Sequence, residues 1–348
     1  MVEAVKPRYS DAMHRRLGWQ HGMGALRAAL AALALVWPAM AGDAAATSGS
    51  ATPVVFLPHW IPQAQFAGYY LAESKGFYRQ EGLAVKVLEG GVRQPPDRAL
   101  AEGKADFTSL FLSTAVVCRA EGLPLVNLAQ LMQRSSLLLV ARKSSGIRRP
   151  EDLNGRKVSL WSGGFEVQPR ALFRNRGIQP LIVPQGSTIN LFLRGGVDAA
   201  SAMWYNEYHL LLAAGLEEKE LTIFRYDQFD LNFPEDGIYC REDLWRQRPA
   251  VCRAFVRASL EGWRYAFAHP EEALDEVMRR AANAPTNRAH QRWMLERMRD
   301  LMDPAAGAAV FGRLRRADYD RVAGELQRAG ALKTIPDWSG FHADLGSD

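Results

Sequence analysis

The chain of 348 residues is 48% hydrophobic, 23% charged and 10% aromatic, with 43 lysines and arginines against 38 aspartates and glutamates. That composition excludes a disordered, collagenous or coiled-coil chain, and the length suits two ordinary domains or one large one. A formal charge of +5 hints at an anionic partner, so the placement of that charge matters.

Lys6, Arg8, Arg15 and Arg16 form a basic start, followed after Arg27 by an apolar run over 28–37 and the small residues Ala39 and Ala41. The pattern predicts a secretory signal peptide over 1–41, its apolar run being too short to span a bilayer comfortably. The alternative is an uncleaved anchor. Removing 1–41 takes away five basic residues (Lys6, Arg8, Arg15, Arg16, Arg27) and two acidic ones (Glu3, Asp11), leaving 38 against 36, or +2 over 307 residues. The basic excess belongs mostly to the export signal, and nucleic-acid binding loses its main support. Residues 42–51 read as a flexible leader of small residues. No later segment reads as a membrane span.

The apolar run 54–57, between Pro53 and Pro58, reads as a buried strand. Residues 64–75 read as a helix with Phe66, Tyr69, Tyr70 and Ala72 apolar and Gly76 at its end. Strands at 84–88 and 105–109 alternate with helices at 96–102 and 113–121. This rhythm predicts parallel strand–helix–strand units. It restarts after Leu137–Val140 with strands at 157–161, 182–183 and 197–203 and helices at 165–174, 189–193 and 206–214. From Glu242 the pattern turns helical, with Phe255, Ser259, Gly262, Trp263, Ala266 and Phe267 at helical spacing. Helices begin again at Pro270 and over 287–302. Of three cysteines, Cys118 reads as a buried thiol, while Cys240 and Cys252 either pair or stay free. No spacing gives a metal site.

Two such α/β halves imply a crevice at the carboxyl ends of the strands. The residues there are His59, Trp60 and Gln65, then Leu110 to Thr114 including Phe111, then Trp161 and the Trp204, Tyr205, Asn206, Glu207 run. Aromatics and amides suit a flat, hydrogen-bonding ligand held by stacking, although each Trp also fits plain core packing. Glu207 either accepts from an exocyclic amine or is a solvated first-turn glutamate, and Asn206 either binds ligand or caps its helix. Ser162, Gly163 and Gly164 before a helix either present N–H groups to an anion or merely turn the chain. Glu166 beside them suits a cationic ligand instead. Tyr69 is a ligand or a core residue. His59 and His209 lack an acid or nucleophile at recognisable spacing, so no catalytic residue and no cofactor is assigned.

The stretches WIPQAQFAGYY (60–70) and AESKGFYRQEGL (72–83) resemble the opening of periplasmic solute-binding proteins. The similarity is greatest to the family shared by thiamine-pyrimidine-precursor binding proteins and thiamine pyrimidine synthases. GKADF (103–107), DLNGRKV (152–158), GVDA (196–199), WYNE (204–207) and ASLEGWRYA (258–266) support it, so that it covers roughly 53–300. The resemblance implies a bilobed periplasmic-binding-protein type II fold with chain crossings near 137–142 and 225–236. Lobe one is then 52–138 plus 232–348, including a helical tail, and lobe two is 139–231. It implies a monomeric binding component of an ABC importer that takes a small heterocycle and docks on a membrane permease, with sulfonate, nitrate or taurine as alternative ligand classes. The enzymes of the family use a Schiff-base lysine, a donor histidine and a cysteine-rich run with iron. The matching positions here are Leu110, Thr114 and the segment 232–240, which reads Phe233, Pro234, Glu235, Asp236, Gly237 with one cysteine. Leucine supplies no amine for pyridoxal phosphate, which counts against the synthase alternative. A sensory module is a further alternative.

Overall fold

The computed structural model describes residues 50–91, 93–302 and 311–345. The signal-peptide reading and nearly all of the leader reading fall outside those residues. Among the described residues, ten strands form two five-stranded sheets. The first sheet contains β1 (Thr52–Leu57), β2 (Leu83–Val87), β3 (Phe107–Phe111), β4 (Leu125–Gln130) and β10 (Asp236–Arg241), in the order β2-β1-β3-β10-β4. The second holds β5 (Leu137–Arg142), β6 (Lys157–Leu160), β7 (Leu181–Pro184), β8 (Ala199–Met203) and β9 (Leu221–Arg225), in the order β7-β6-β8-β5-β9. With helices packed around both sheets, the chain is a two-lobed α/β protein.

The rhythm of short strands and helices predicts parallel pairing, and β1, β2 and β3 are parallel, as are β6, β7 and β8. Both sheets are nevertheless mixed. β10 runs antiparallel to β3 and β4, and β5 runs antiparallel to β8 and β9. The reason lies in the crossings: each of these strands arrives from the other lobe and not through a strand–helix–strand unit of its own sheet. The first crossing is 131–136, just ahead of the 137–142 stretch where the resemblance places it, because Leu137 already pairs with Met203.

This direction has a functional consequence. Asp236, the first residue of β10, pairs with Phe111, the last of β3, and Leu137, the first of β5, pairs with Met203, the last of β8. Both crossings therefore enter their sheets at the carboxyl ends of the parallel strands. They bring their polar residues to the same edge as His59, Phe111, Trp161 and Trp204.

Lobe one is completed late in the chain. Helix Pro249–Ala268 lays Phe255 against Phe107 in a stacked pair (centroids 4.1 Å apart) and against Tyr78 (5.2 Å). It also crosses helix Ala67–Ser74 at two glycines. A Cβ on Gly68 would stand 2.3 Å from the Trp263 indole, and one on Gly262 would stand 2.1 Å from the Gly68 carbonyl oxygen. Only hydrogen side chains permit that approach. All three cysteines are free; Cys240 and Cys252 are buried, while Cys118 is half-buried rather than enclosed because its helix, Leu112–Ala120, lies at the lobe surface. Among the described residues no helix is long and apolar enough to cross a membrane.

Candidate functional site

The two crossings lie side by side and are laced together. Ser135 N–H donates to Asn232 Oδ1 (2.9 Å), and Asn232 Nδ2 donates to the Gln133 carbonyl (3.1 Å). Glu235 is the knot. Its carboxyl accepts from Ser136 N (2.6 Å), Leu137 N (3.1 Å), Ser135 Oγ (3.1 Å) and Ser136 Oγ (2.5 Å). Burial pushes its pKa up to about 7, against the pull of these donors. Gln168, from helix Val167–Arg176 of lobe two, donates to Ser135 Oγ (3.0 Å) and to the Leu231 carbonyl (2.8 Å).

Beside this hinge, Asp236 is buried and accepts from Gln65 Nε2 (2.9 Å) through Oδ2. Its Oδ1 has no hydrogen-bond partner, and His59 Nε2 lies 3.7 Å from it. His59 is held from the other side by Ser109 Oγ, 2.8 Å from Nδ1. Burial lowers the His59 pKa to about 3 and raises that of Asp236 well above the carboxylate range. These directions describe a neutral imidazole beside a neutral carboxyl, a pair able to donate and accept without fixed charge. Ser109, His59 and Asp236 thus come together although 177 residues separate His59 from Asp236 (positions 59 and 236). The serine lies inside β3 with no exposed surface, so it orients the ring and cannot meet a substrate.

Each residue singled out in the sequence has a definite place. Trp60 follows β1 and is 37% exposed, on a loop pressed against Gly90. Gln65 is buried, taking a bond from Gln63 Nε2 (2.5 Å) as it gives one to Asp236. Tyr69 packs its ring on Phe56 (4.3 Å) and edge-on against Trp263 (6.0 Å), in the core of lobe one. Phe111 meets His59 edge-on (5.1 Å) and reaches across the cleft to Phe165 of lobe two (5.3 Å). Trp161 touches Phe165 and donates from Nε1 to the Gly186 carbonyl (3.0 Å). Ser162 and Gly163 are exposed, Gly163 with φ +70°. A Cβ on Gly164 would meet Ser113 Oγ and Thr114 Oγ1 of lobe one at 3.5 Å. Glu166, just ahead of helix Val167–Arg176, is ion-paired with Arg170 in that helix (2.6 Å).

The WYNE run is anchored differently. Two guanidiniums lie over the half-buried Trp204, Arg225 at 4.7 Å and Arg297 at 4.9 Å. Asn206 stands at the start of helix Glu207–Ala213 but makes no capping bond. Its Nδ2 donates to Glu207 Oε1 (2.8 Å) and its Oδ1 faces His290 Nε2 (2.9 Å). Glu207 is buried rather than solvated, with Met203 N–H on Oε2 (2.9 Å) and a pKa raised by that burial. Tyr205 is buried near Gln65, and burial, with the neighbouring Glu235, Asp236 and Glu207 carboxyls, pushes its phenol pKa up. The lobes are therefore closed along a seam of amides, carboxyls and aromatic edges. His59 precedes Trp60 in plain view; its partners Asp236 and Ser109 carry no local signal that could have found them.

Leu110 is an apolar, buried side chain, and among the described residues no three His, Cys, Asp or Glu side chains converge as metal ligands.

The sequence profile of the family described as NMT1/THI5 like matches residues 63–273. The chain is 29% identical to the riboflavin-binding protein RibY of Chloroflexus aurantiacus over 251 residues, covering 68% of this chain and 69% of that protein. It is 23% identical to a 4-amino-5-hydroxymethyl-2-methylpyrimidine phosphate synthase of Saccharomyces cerevisiae over 242 residues, 66% of this chain and 71% of that one. Among solved structures, a putative periplasmic sulfonate-binding protein of Methylobacillus flagellatus KT superposes with a TM-score of 0.63 at 18% identity, covering 85% of this chain and 92% of the other. The periplasmic aliphatic sulphonate-binding protein of Escherichia coli does so at 0.60 and 16%, covering 80% and 90%.

Proposed function

The chain belongs to the NMT1/THI5-like family, and from that premise we propose that it is an exported, monomeric solute-binding component of an ABC importer. Its ligand is a thiamine-precursor pyrimidine or a similar small heterocycle, delivered in the periplasm to a membrane permease. The observation that carries this reading is the seam itself. Two crossings enter both sheets at their carboxyl ends and bring neutral hydrogen-bonding groups, His59, Gln65, Asp236 and Tyr205, to a cleft edged by Trp60, Phe111, Trp161 and Trp204. Such a lining suits a ring with donors and acceptors on its edge. The lobes open about the laced crossings to admit it and close to sequester it.

Trp60 would stack on the ring, and Gln65, Tyr69, Asn206 and Glu207 would read its edge, with the Ser162, Gly163, Gly164 loop and Glu166 closing from lobe two. Of the alternatives, the synthase has relatives in its favour, but this chain places Leu110 and Thr114 where that chemistry needs an amine and an imidazole. A thermal-shift panel tests the assignment: stabilisation by aminopyrimidines or flavin-like rings supports it, and stabilisation by an alkylsulfonate alone refutes it. A reducible Schiff-base absorbance band after adding pyridoxal phosphate would instead revive the enzyme.

A further inference from the structure

Of the three cysteines, Cys240 and Cys252 are the two that the fold brings together. Strand register places Phe56, Phe107, Cys240 and Val126 in a row across β1, β3, β10 and β4. All four side chains are buried in one core. Helix Pro249–Ala268 lies along that row, touching β4 at one edge of the sheet and β2 at the other. Its Phe255 stacks on Phe107 (4.1 Å) and leans on Phe56 (5.5 Å). Cys252 comes three residues before Phe255, on the same helical face. Three residues of helix rise about 4.5 Å, and neighbouring strands lie ~4.8 Å apart. One strand on from Phe107 is β10, so Cys252 falls over Cys240. Burial and the neighbouring Cys252 thiol push the Cys240 pKa up, in accord with that placement. Cys118 is kept out. Tyr239, next to Cys240 in β10, points to the opposite face of the sheet and packs near Phe341 (6.2 Å) in a second core. Cys118, on helix Leu112–Ala120, lies against that second core. The sheet stands between it and the other two sulfurs, so of the three possible pairings only one can form.

We propose that Cys240 and Cys252 are a modification site, an internal dithiol that closes to a disulfide as β10 and helix Pro249–Ala268 come together. The structure holds the reduced form, with both thiols free and Cys240 Sγ donating to the Arg241 carbonyl (3.3 Å). Closure breaks the two S–H bonds and makes one S–S bond. The two electrons and two protons pass to an external disulfide, such as glutathione disulfide, which is cleaved to two thiols. The exchange runs through a thiolate, so it belongs to the folding chain: once the core closes, neither sulfur has exposed surface for an oxidant to reach. The two cysteines lie only twelve positions apart (240 and 252), so they meet early and locally. The bridge fastens β10 four positions beyond Asp236 (236 and 240), anchoring the crossing strand to the helix behind it.

Refolding the reduced full chain with glutathione disulfide tests this, with thiols counted afterwards by maleimide labelling in denaturant and by intact mass. A single thiol, Cys118, and a chain two hydrogens lighter are expected, with Cys240 and Cys252 joined in one peptide pair after digestion. The bridged protein should unfold with an equilibrium constant lower than the reduced one's by on the order of 100-fold. Cys118→Ser should leave the bridge in place, whereas Cys252→Ser should abolish it and label at two thiols. Three thiols, a glutathione adduct, a bridge to Cys118, or a bridge that leaves unfolding unchanged overturns the proposal. Each of those failures leaves the solute-binding reading standing, since none involves the cleft. If Cys252→Ser fails to fold, the thiol count of the unmodified chain still decides.

Discussion

His209 and His290 face each other with their Nδ1 atoms 2.8 Å apart, one ring on lobe two's helix Glu207–Ala213 and the other on helix Arg288–Met302. The surrounding bonds fix who donates. Asn206 gives its amide to Glu207, so its Oδ1 takes the proton on His290 Nε2, and His290 Nδ1 is left to accept from His209. The chain of bonds runs from a surface imidazole to a buried carboxyl and requires His290 to be neutral.

Burial and the neighbouring His209 lower the His290 pKa to about 4, and burial lowers that of His209 as well. The unfolded chain, with histidine near 6.5, therefore binds more protons than the folded one between pH 6.5 and 4. Stability falls as pH falls through that window. His290→Asn should remove roughly 2–3 kcal/mol of this acid sensitivity. Urea unfolding at pH 7.5, 5.5 and 4.5 checks it; equal slopes in both proteins would refute the latch.

Glu235 titrates with the opposite sign. Its folded pKa of about 7 stands above the unfolded carboxyl value near 4.5. Its protonated form stabilises the fold fully below pH 4.5, and that contribution is lost as pH rises through 7. Glu235→Gln should flatten stability between pH 5 and 8. Glu235→Ala should cost about 2–4 kcal/mol, because the Ser136 and Leu137 N–H groups lose their acceptor. Thermal melts across that range separate the two variants.

Two of the tryptophans at the cleft, Trp60 and Trp204, should behave differently. Trp60, more than a third exposed, can be cut to Ala for under about 1 kcal/mol of stability, while affinity for the ring falls at least tenfold. Trp204 is half-buried and carries two guanidiniums, so Trp204→Ala should cost roughly 3 kcal/mol of stability. Paired melting and titration data distinguish them; a Trp60→Ala protein that binds normally would remove its stacking role.

Gly262→Ala should destabilise by at least about 3 kcal/mol, since the added methyl meets backbone on the crossing helix and has nowhere to turn. A change under 1 kcal/mol in denaturant unfolding would show that the helices can part.

The parallel strands and their helices were legible because each repeats a short apolar run, a turn and an amphipathic stretch. β4, β9 and β10 were not. Leu125–Gln130 buries Asn127 and Gln130, and Asp236–Arg241 opens with a carboxyl and a glycine, so neither shows strand alternation. β10 is a crossing strand inside its sheet, while β4 and β9 close the edges of theirs, and the polar residues of β4 are satisfied by distant backbone: Gln130 Nε2, for example, donates to the Glu235 carbonyl at 2.9 Å. The aromatic and amide residues of the cleft were visible for the same reason as the parallel strands, since they follow strand ends directly. In the sequence Asp236 stands out only as part of a segment that departs from a cysteine-rich run. Its role depends on β10 slipping between β3 and β4, which no local pattern announces.

That insertion also sets an order of assembly. The second sheet is made wholly from residues 137–225, one continuous stretch. The first sheet stays split until β10 arrives, and its core stays open until the helix bearing Gly262 crosses the one bearing Gly68. Contacts so far apart in sequence form slowly. Pulse-labelled hydrogen exchange during refolding should find the amides of β5 to β9 protected before those of β10. A chain threaded through a membrane from its amino end would thus gain its second lobe first, and it would acquire the Asp236 face of the cleft only when its last third has emerged.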